Sequence, residues 1–288
     1  MDRLLITGAG GQVGRALTGL AERHGFEAVA LTSRDLDITD REAVERAAEA
    51  HAPAAVVNAA AYTKVDAAEE AEAAARAVNV RGPRYLAHAF EAVPLLHYST
   101  DYVFDGTGTR PYAETDDTHP LGVYGRTKAE GECEVLGAGG SVMRTAWVYD
   151  AVGPNFLRTM LRVGRERGAL RVVDDQRGTP THASDIAEAS LVMLRKLADG
   201  QGTPGLYHYT ASGETTWHGF ASAIFDALEA ETGERVDLTP IPTADYPTPA
   251  ARPAYSVLDG AKIEGAFGVT RPDWRAPVPG TVKEALTS

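Results

Sequence analysis

Long apolar runs are missing from this chain of 288 residues. Nowhere do about 20 apolar residues follow one another, so no stretch reads as a membrane-spanning helix. The start, Met1-Asp2-Arg3, carries an acid and lacks the apolar run of a signal peptide. Cysteine is nearly absent. Cys133 stands alone and cannot form an internal disulfide, which fits a reducing compartment and a cytoplasmic location. Basic residues are outnumbered, 28 Lys+Arg against 40 Asp+Glu, for a formal charge of −12. A field of that sign repels nucleic acid and anionic membranes, leaving neither as the main partner. A small anionic ligand needs only a local cluster of donors. The eight histidines are scattered, and no pair has metal-ligand spacing backed by a carboxylate or cysteine cluster, so no metal site is read. Among them His97 reads as a packed or hydrogen-bonded side chain.

What the sequence does hold is alternation. Leu4-Leu5-Ile6, Ala28–Leu31, Ala55–Asn58, Leu95–Tyr98 and Val142–Arg144 are short apolar runs of strand type. Between them lie helical patterns at Gln12–His24, Asp40–Ala50 (capped by Thr39 or Asp40), Ala67–Val78 and around Tyr124–Leu136. This pitch implies right-handed crossovers and an α/β fold with a doubly wound, Rossmann-type parallel sheet. Residues 1–150 are expected to form the dinucleotide-binding domain. Residues 151–288 are expected to be a smaller, mainly substrate-binding region, with segments free to return to the sheet. Helices are expected at Phe156–Arg167, Ile186–Leu197 and Trp217–Glu231, and the proline-rich stretch from Thr239 to Ala254 reads as a loop.

Between the first strand and the first helix stand Gly8, Gly11 and Gly14. Gly8 permits a tight turn, Gly11 lets the backbone approach a pyrophosphate, and Gly14 lets helix and strand pack closely. The helix start then offers free N–H groups and about half a positive charge to phosphates. The spacing G-x-x-G-x-x-G departs from the G-x-G-x-x-G fingerprint, so its place after the first strand carries the argument. At the end of the second strand, Ser33 and Arg34 suit the 2′-phosphate of NADPH, with NADH the alternative and a solvated loop the plain reading. Asp37 would then lie beside the adenine.

Tyr124 and Lys128, four apart, fall on one helical face. A phenol with an ordinary pKa of about 10 exchanges protons poorly near neutrality, and an adjacent cation is expected to lower it. Upstream, Ser99 and Thr100 end a strand, and alternation sends them to opposite faces. His97, Ser99 and Asp101 lie too close together on one strand to act as a hydrolase triad.

Thr7–Gly14, the pair Tyr124 and Lys128, and the alternating sheet resemble the extended short-chain dehydrogenase/reductases. Asn58–Asp66, Ser99–Gly106, Arg144–Tyr149, Asp175–Thr181, and Arg252-Pro253 with Ser256–Asp259 are similar more narrowly to the dTDP-4-dehydrorhamnose reductases, over nearly the whole chain. The resemblance implies NAD(P)H-dependent reduction of the 4-keto group of a nucleotide sugar, dTDP-4-dehydro-6-deoxy-L-mannose, to give dTDP-L-rhamnose. It implies that Tyr124 donates the proton, that Lys128 positions the nicotinamide ribose and tunes Tyr124, and that Thr100 bonds the reacting oxygen or the phenol. Gly11, Gln12 and Val13 would cradle the pyrophosphate, and Asp37 and Ile38 would flank the adenine. Ala61, Tyr62, Thr63 and Tyr98 would line the cofactor groove. Thr100, Asp101 and Trp147 match sugar-contacting positions, and Arg252 is a candidate partner for the diphosphate. Related dehydratases carry Asp-Glu after the Thr, whereas Tyr102 follows Asp101 here, so elimination lacks its second carboxylate. Some relatives hold magnesium at a dimer contact through a glutamate where this chain has Arg15, so magnesium and a homodimer are left open. Two alternatives stand beside this reading: reduction of another dNDP-4-keto-6-deoxyhexose, and a regulatory binding protein like the methionine adenosyltransferase β subunit.

Overall fold

The computed structural model describes residues 1–287. Its centre is a six-stranded parallel sheet built from β1 (Asp2–Thr7), β2 (Phe26–Leu31), β3 (Ala55–Asn58), β4 (Leu95–Thr100), β5 (Ser141–Thr145) and a late strand, Leu206–His208. In space the order is β2, β1, β3, β4, β5 and then Leu206–His208, all parallel. The chain steps one way from β1 to β2 and the other way from β1 to β3. A crevice therefore opens at the carboxyl ends of β1 and β3, the place where doubly wound sheets bind ligands.

Every residue of β3, β4 and β5 is buried, because helices cover both faces. On one face Leu4, Ile6, Val57, Leu96 and Met143 form one cluster with Leu17 of α1 (Gln12–Leu20) and Ile186 and Leu194 of the helix Ala183–Ala198. On the other face Leu5, Val56, Leu95 and Val142 cluster with Val44 of α2 (Arg41–His51), Leu86 of Gly82–Ala89 and Val135 of Val123–Gly137. Asp40 caps α2 by accepting from the Ala43 N–H at 3.1 Å, and Thr39 instead donates to Asp37. A separate core gathers Tyr149, Leu157, Leu161, Phe220, Ile224, Trp274 and Val282 beneath the helices Phe156–Arg167, Trp217–Thr232 and Val278–Thr287. The later half thus returns a helix and a strand to the sheet and builds a second lobe from the rest.

Two local expectations are corrected. The helix expected over Ala67–Val78 is broken into Val65–Ala68, Glu72–Arg76 and a π-helical turn, Ala77–Arg81. Tertiary bonds override the intrinsic propensity of the alanines. Glu69 is drawn off to accept from the Val123 N–H, and buried Asn79 bonds Tyr62 and Thr127. The expected proline loop begins as a strand, Asp237–Ile241, paired in parallel with Ala169–Val173. Both strands of this two-stranded ribbon are edges, where Pro240 is tolerated despite lacking an N–H. No helix among the described residues is long and apolar enough to cross a membrane.

Candidate active site

Gly8 sits at φ +65°, and a Cβ there would lie 2.5 Å from the Ala60 nitrogen. Only glycine lets the end of β1 pass this close to the end of β3. The chain then enters α1 with Gly11 as N-cap, no side-chain cap and no acid in the first turn. Its amide groups and dipole are left facing the crevice, the arrangement that binds phosphate. A Cβ on Gly14 would collide with Gly8 and Ala9, so helix and turn pack backbone to backbone.

The crevice is a cleft of about 410 Å³. Gly11, Gln12, Val13 and Gly14 line one wall, Ala61 and Thr63 a second, and Tyr98, Tyr124 and Lys128 the floor. Several predicted residues lie elsewhere. Ser33 and Arg34 are exposed beyond β2, in a turn where Asp35 accepts from the backbone and hydroxyl of Thr32. Asp37 is also exposed and holds a turn by accepting from Thr39. Ile38 is buried in the sheet core, tight against Gly82. Tyr62 packs, like Tyr124, against the small cluster of Ala68, Ala75 and Val123.

Tyr124 is half-buried in the first turn of Val123–Gly137, edge-on to Tyr102 with ring centroids 5.6 Å apart. Gly125 makes this possible, since a Cβ there would strike the Tyr102 carbonyl. Burial pushes the Tyr124 phenol up to about 12; the Thr100 hydroxyl acts against this and the Asp101 carboxylate adds to it. The expectation that Lys128 lowers the phenol is therefore not met. The Lys128 nitrogen is directed to the Tyr98 carbonyl and to His97 Nε2, 3.2 Å away. Burial pushes Lys128 down to about 8, with Glu132 acting the other way.

Thr100 ends β4 and caps the short turn Asp101–Val103, accepting from the Tyr102 N–H at 3.2 Å and donating to Asp101 at 3.0 Å. Burial pushes Asp101 up to about 6, against hydrogen bonds from Ser256 and Thr100. Ser99, its neighbour, lines the cleft and has a buried, unpartnered hydroxyl. The Tyr98 hydroxyl bonds Ser190 at 2.6 Å, tying the cleft floor to the helix Ala183–Ala198.

Trp147 follows β5 at φ +48°, a left-handed backbone rarely adopted by a bulky residue. Its indole stacks on Trp217, centroids 3.5 Å apart and planes within 5°. Gly178 makes room, because a Cβ there would collide with the indole. Trp217 in turn lines a second cavity of about 250 Å³ with Phe156, Met160, Gln176, Arg171 and Arg252. Arg252 does not point free: it bonds Asp66 at 3.1 Å, while its Nε is buried without a partner.

The family described as RmlD substrate binding domain matches residues 1–287. A dTDP-4-dehydrorhamnose reductase of Aggregatibacter actinomycetemcomitans is 46% identical over 96% of both chains. The chain belongs to the dTDP-4-dehydrorhamnose reductase family. A solved member from Clostridium acetobutylicum superposes with a TM-score of 0.91 at 36% identity, covering 99% of this chain and all of that one. Another, from Bacillus anthracis in complex with NADP, gives 0.88 at 32% identity over 99% of both.

Against this family background, sequence reasoning missed Thr145, Val148, Gly153 and Pro154, which also line the cleft. Thr145 ends β5 beside Thr100, and its buried hydroxyl lacks a partner. Gly153 and Pro154 arrive from the later half, and Asn155 bonds Gln12 at 2.9 Å. Only the strand-end position of Thr145 was a readable signal. Arg15 donates to the carbonyls of Gly10 and Val152 and lies 3.7 Å from Asp150. A guanidinium at that point does not fit a magnesium ion, and no cluster of metal-binding side chains occurs among the described residues.

Proposed function

We propose that this protein reduces the 4-keto group of dTDP-4-dehydro-6-deoxy-L-mannose to give dTDP-L-rhamnose, using NADPH. The observation that carries the reading is that Tyr124 and Lys128 meet on the floor of a cleft that begins at an uncapped helix start. The residues suit a dinucleotide: bare amides for the pyrophosphate, glycines where a Cβ would collide, and unpartnered hydroxyls on Ser99 and Thr145. Exposed Ser33 and Arg34 favour a 2′-phosphate, as does the NADP bound by the Bacillus relative. When bound, the cofactor supplies a hydride to the carbonyl carbon.

The chain's own residues supply the rest. Tyr124, held protonated by burial, gives its proton to the carbonyl oxygen as that oxygen gains charge. The product gains one hydrogen at carbon and one at oxygen, which balances a two-electron reduction. The Thr100 hydroxyl, within reach of the phenol, turns its single proton from Asp101 to the same developing charge. Asp101 and the Trp147–Trp217 stack orient the sugar, the indole offering an apolar face to its methyl group. The neighbouring cavity, with aromatic and aliphatic walls and the cations Arg171 and Arg252, suits the thymidine diphosphate. Residues 1–150 thus hold mainly the cofactor, and 151–288 mainly the substrate.

The test is direct. Purified protein, NADPH and the dTDP-4-keto sugar should consume the reduced-nicotinamide absorbance and yield the rhamnose nucleotide. Folded protein that binds NADPH but shows no turnover would remove this reading in favour of a binding role.

A further inference from the structure

The glycine turn at the mouth of the cleft is tied to a residue 143 positions later in the chain: Asn155 Nδ2 donates to Gln12 Oε1 at 2.9 Å. Gln12 is the first residue of α1 and lines the cleft, as do Gly153 and Pro154 just before Asn155. Asn155 is also the N-cap of the helix Phe156–Arg167, its Oδ1 accepting from the Arg158 backbone N–H at 3.0 Å. Leu157 and Leu161 sink that helix into the second core. Asn155 is therefore anchored from its own side, without help from the cofactor turn.

The partners of Asn155 fix which way its amide faces. The Arg158 N–H only donates, so it meets the Asn155 oxygen. The Asp150 and Gly153 carbonyls, at 2.7 and 3.3 Å, only accept, so they meet the NH₂. The same NH₂ faces Gln12, and the Gln12 atom opposite it is therefore the amide oxygen. What Gln12 has left is its own NH₂, which only donates. We propose that Asn155 is a positioning residue for the cofactor: by holding the Gln12 oxygen, it turns the Gln12 NH₂ toward the pyrophosphate. A side-chain donor thus joins the bare amides of α1, where an amide turned over would set its oxygen against an anion. The inference deepens the cofactor assignment made above and rests on it.

Two plainer roles make different predictions. Were Asn155 a helix cap alone, another good capping residue would replace it without loss of cofactor affinity. Were it only a brace for the loop Asp150–Gly153, its removal would cost affinity whether or not Gln12 were present. Arg15, the other link between turn and loop, is spent on the carbonyls of Gly10 and Val152 and leaves the Gln12 amide to Asn155.

Titrations of the full-length protein with NADPH and with NADH, read by cofactor fluorescence, test this. Asn155→Ser keeps a capping hydroxyl but is too short to reach Gln12. It should weaken both cofactors about tenfold, the worth of a hydrogen bond to a charged group, because both carry the pyrophosphate. In a Gln12→Ala background the same substitution should move either Kd by less than about twofold, since the group it positions is gone. Unchanged affinity in Asn155→Ser, or a loss that persists without Gln12, would overturn the proposal. Should Asn155→Ser not fold, the unaltered protein decides. In ¹⁵N-glutamine spectra the Gln12 side-chain NH₂, assigned by its disappearance in Gln12→Ala, should shift downfield when NADPH binds; an unmoved signal in the bound protein would overturn the proposal. Both readouts need binding and no turnover. A protein that binds NADPH but does not react would sink the reductase reading and leave this one standing, and a protein that binds neither cofactor would sink both.

Discussion

Arg144 on β5 and Glu132 on the helix Val123–Gly137 form a buried ion pair, with side chains 4% and 5% exposed. The guanidinium meets the carboxylate with two nitrogens, at 2.8 and 2.6 Å, and also lies over the Phe104 ring. Replacing Arg144 by Met keeps much of the side-chain length but strands the Glu132 carboxylate in the core. Breaking a buried pair from one side costs about 3–5 kcal/mol, against about 0–1 for exposed pairs such as Arg41–Glu45. Since 1.36 kcal/mol is a factor of ten, the folded-to-unfolded ratio should fall by roughly two to four powers of ten. That is a large part of the roughly 5–15 kcal/mol that ordinarily separates folded from unfolded chains. Urea unfolding near neutral pH, followed by tryptophan fluorescence, measures the loss. The double variant Glu132→Leu/Arg144→Met should regain most of it, because no charge is left buried. A single-variant loss below about 1 kcal/mol, or a double variant no better than the single, would refute the reasoning.

Other consequences follow from the same geometry. Tyr124→Phe keeps the ring beside Tyr102 but removes the proton, so kcat should drop by about 10²–10⁴ with NADPH affinity retained; undiminished turnover would contradict the assigned donor. Arg34→Ala should weaken NADPH binding and leave NADH binding unchanged, checked by titrating both cofactors against each protein. Buried His208 is held down to about 3 by burial and by Arg144, whereas the unfolded chain takes up a proton near 6.5. The unfolded state then binds more protons below 6.5, so stability falls as pH drops, by about 1.4 kcal/mol per pH unit from this group. His208→Gln should accordingly lose about 2 kcal/mol less than the parent between pH 7 and pH 5 in parallel unfolding curves; equal losses would show that His208 is not the group titrating.

The alternation of apolar runs and helical patterns determined the parallel sheet by itself, and its central strands β3, β4 and β5 leave no face in water. Gly8 and Gly14 were legible for a related reason: their roles are backbone roles, fixed by position after the first strand. Tyr124 and Lys128 were found by helical spacing, which does bring both to the cleft. Spacing could not show where the Lys128 nitrogen points, and only tertiary structure turned it toward His97 and Tyr98. The same limit applies to Ile38, which the resemblance alone suggested for the cofactor and whose packing against Gly82 no local pattern shows. Asn79 broke a helix that composition favoured, since a buried amide bonded across 48 residues outweighs a few tenths of a kilocalorie of propensity per alanine. Sequence therefore settled what repeats along the chain, and folding alone decided which distant side chains meet, because hydrogen bonding and burial depend on neighbours that no local pattern contains.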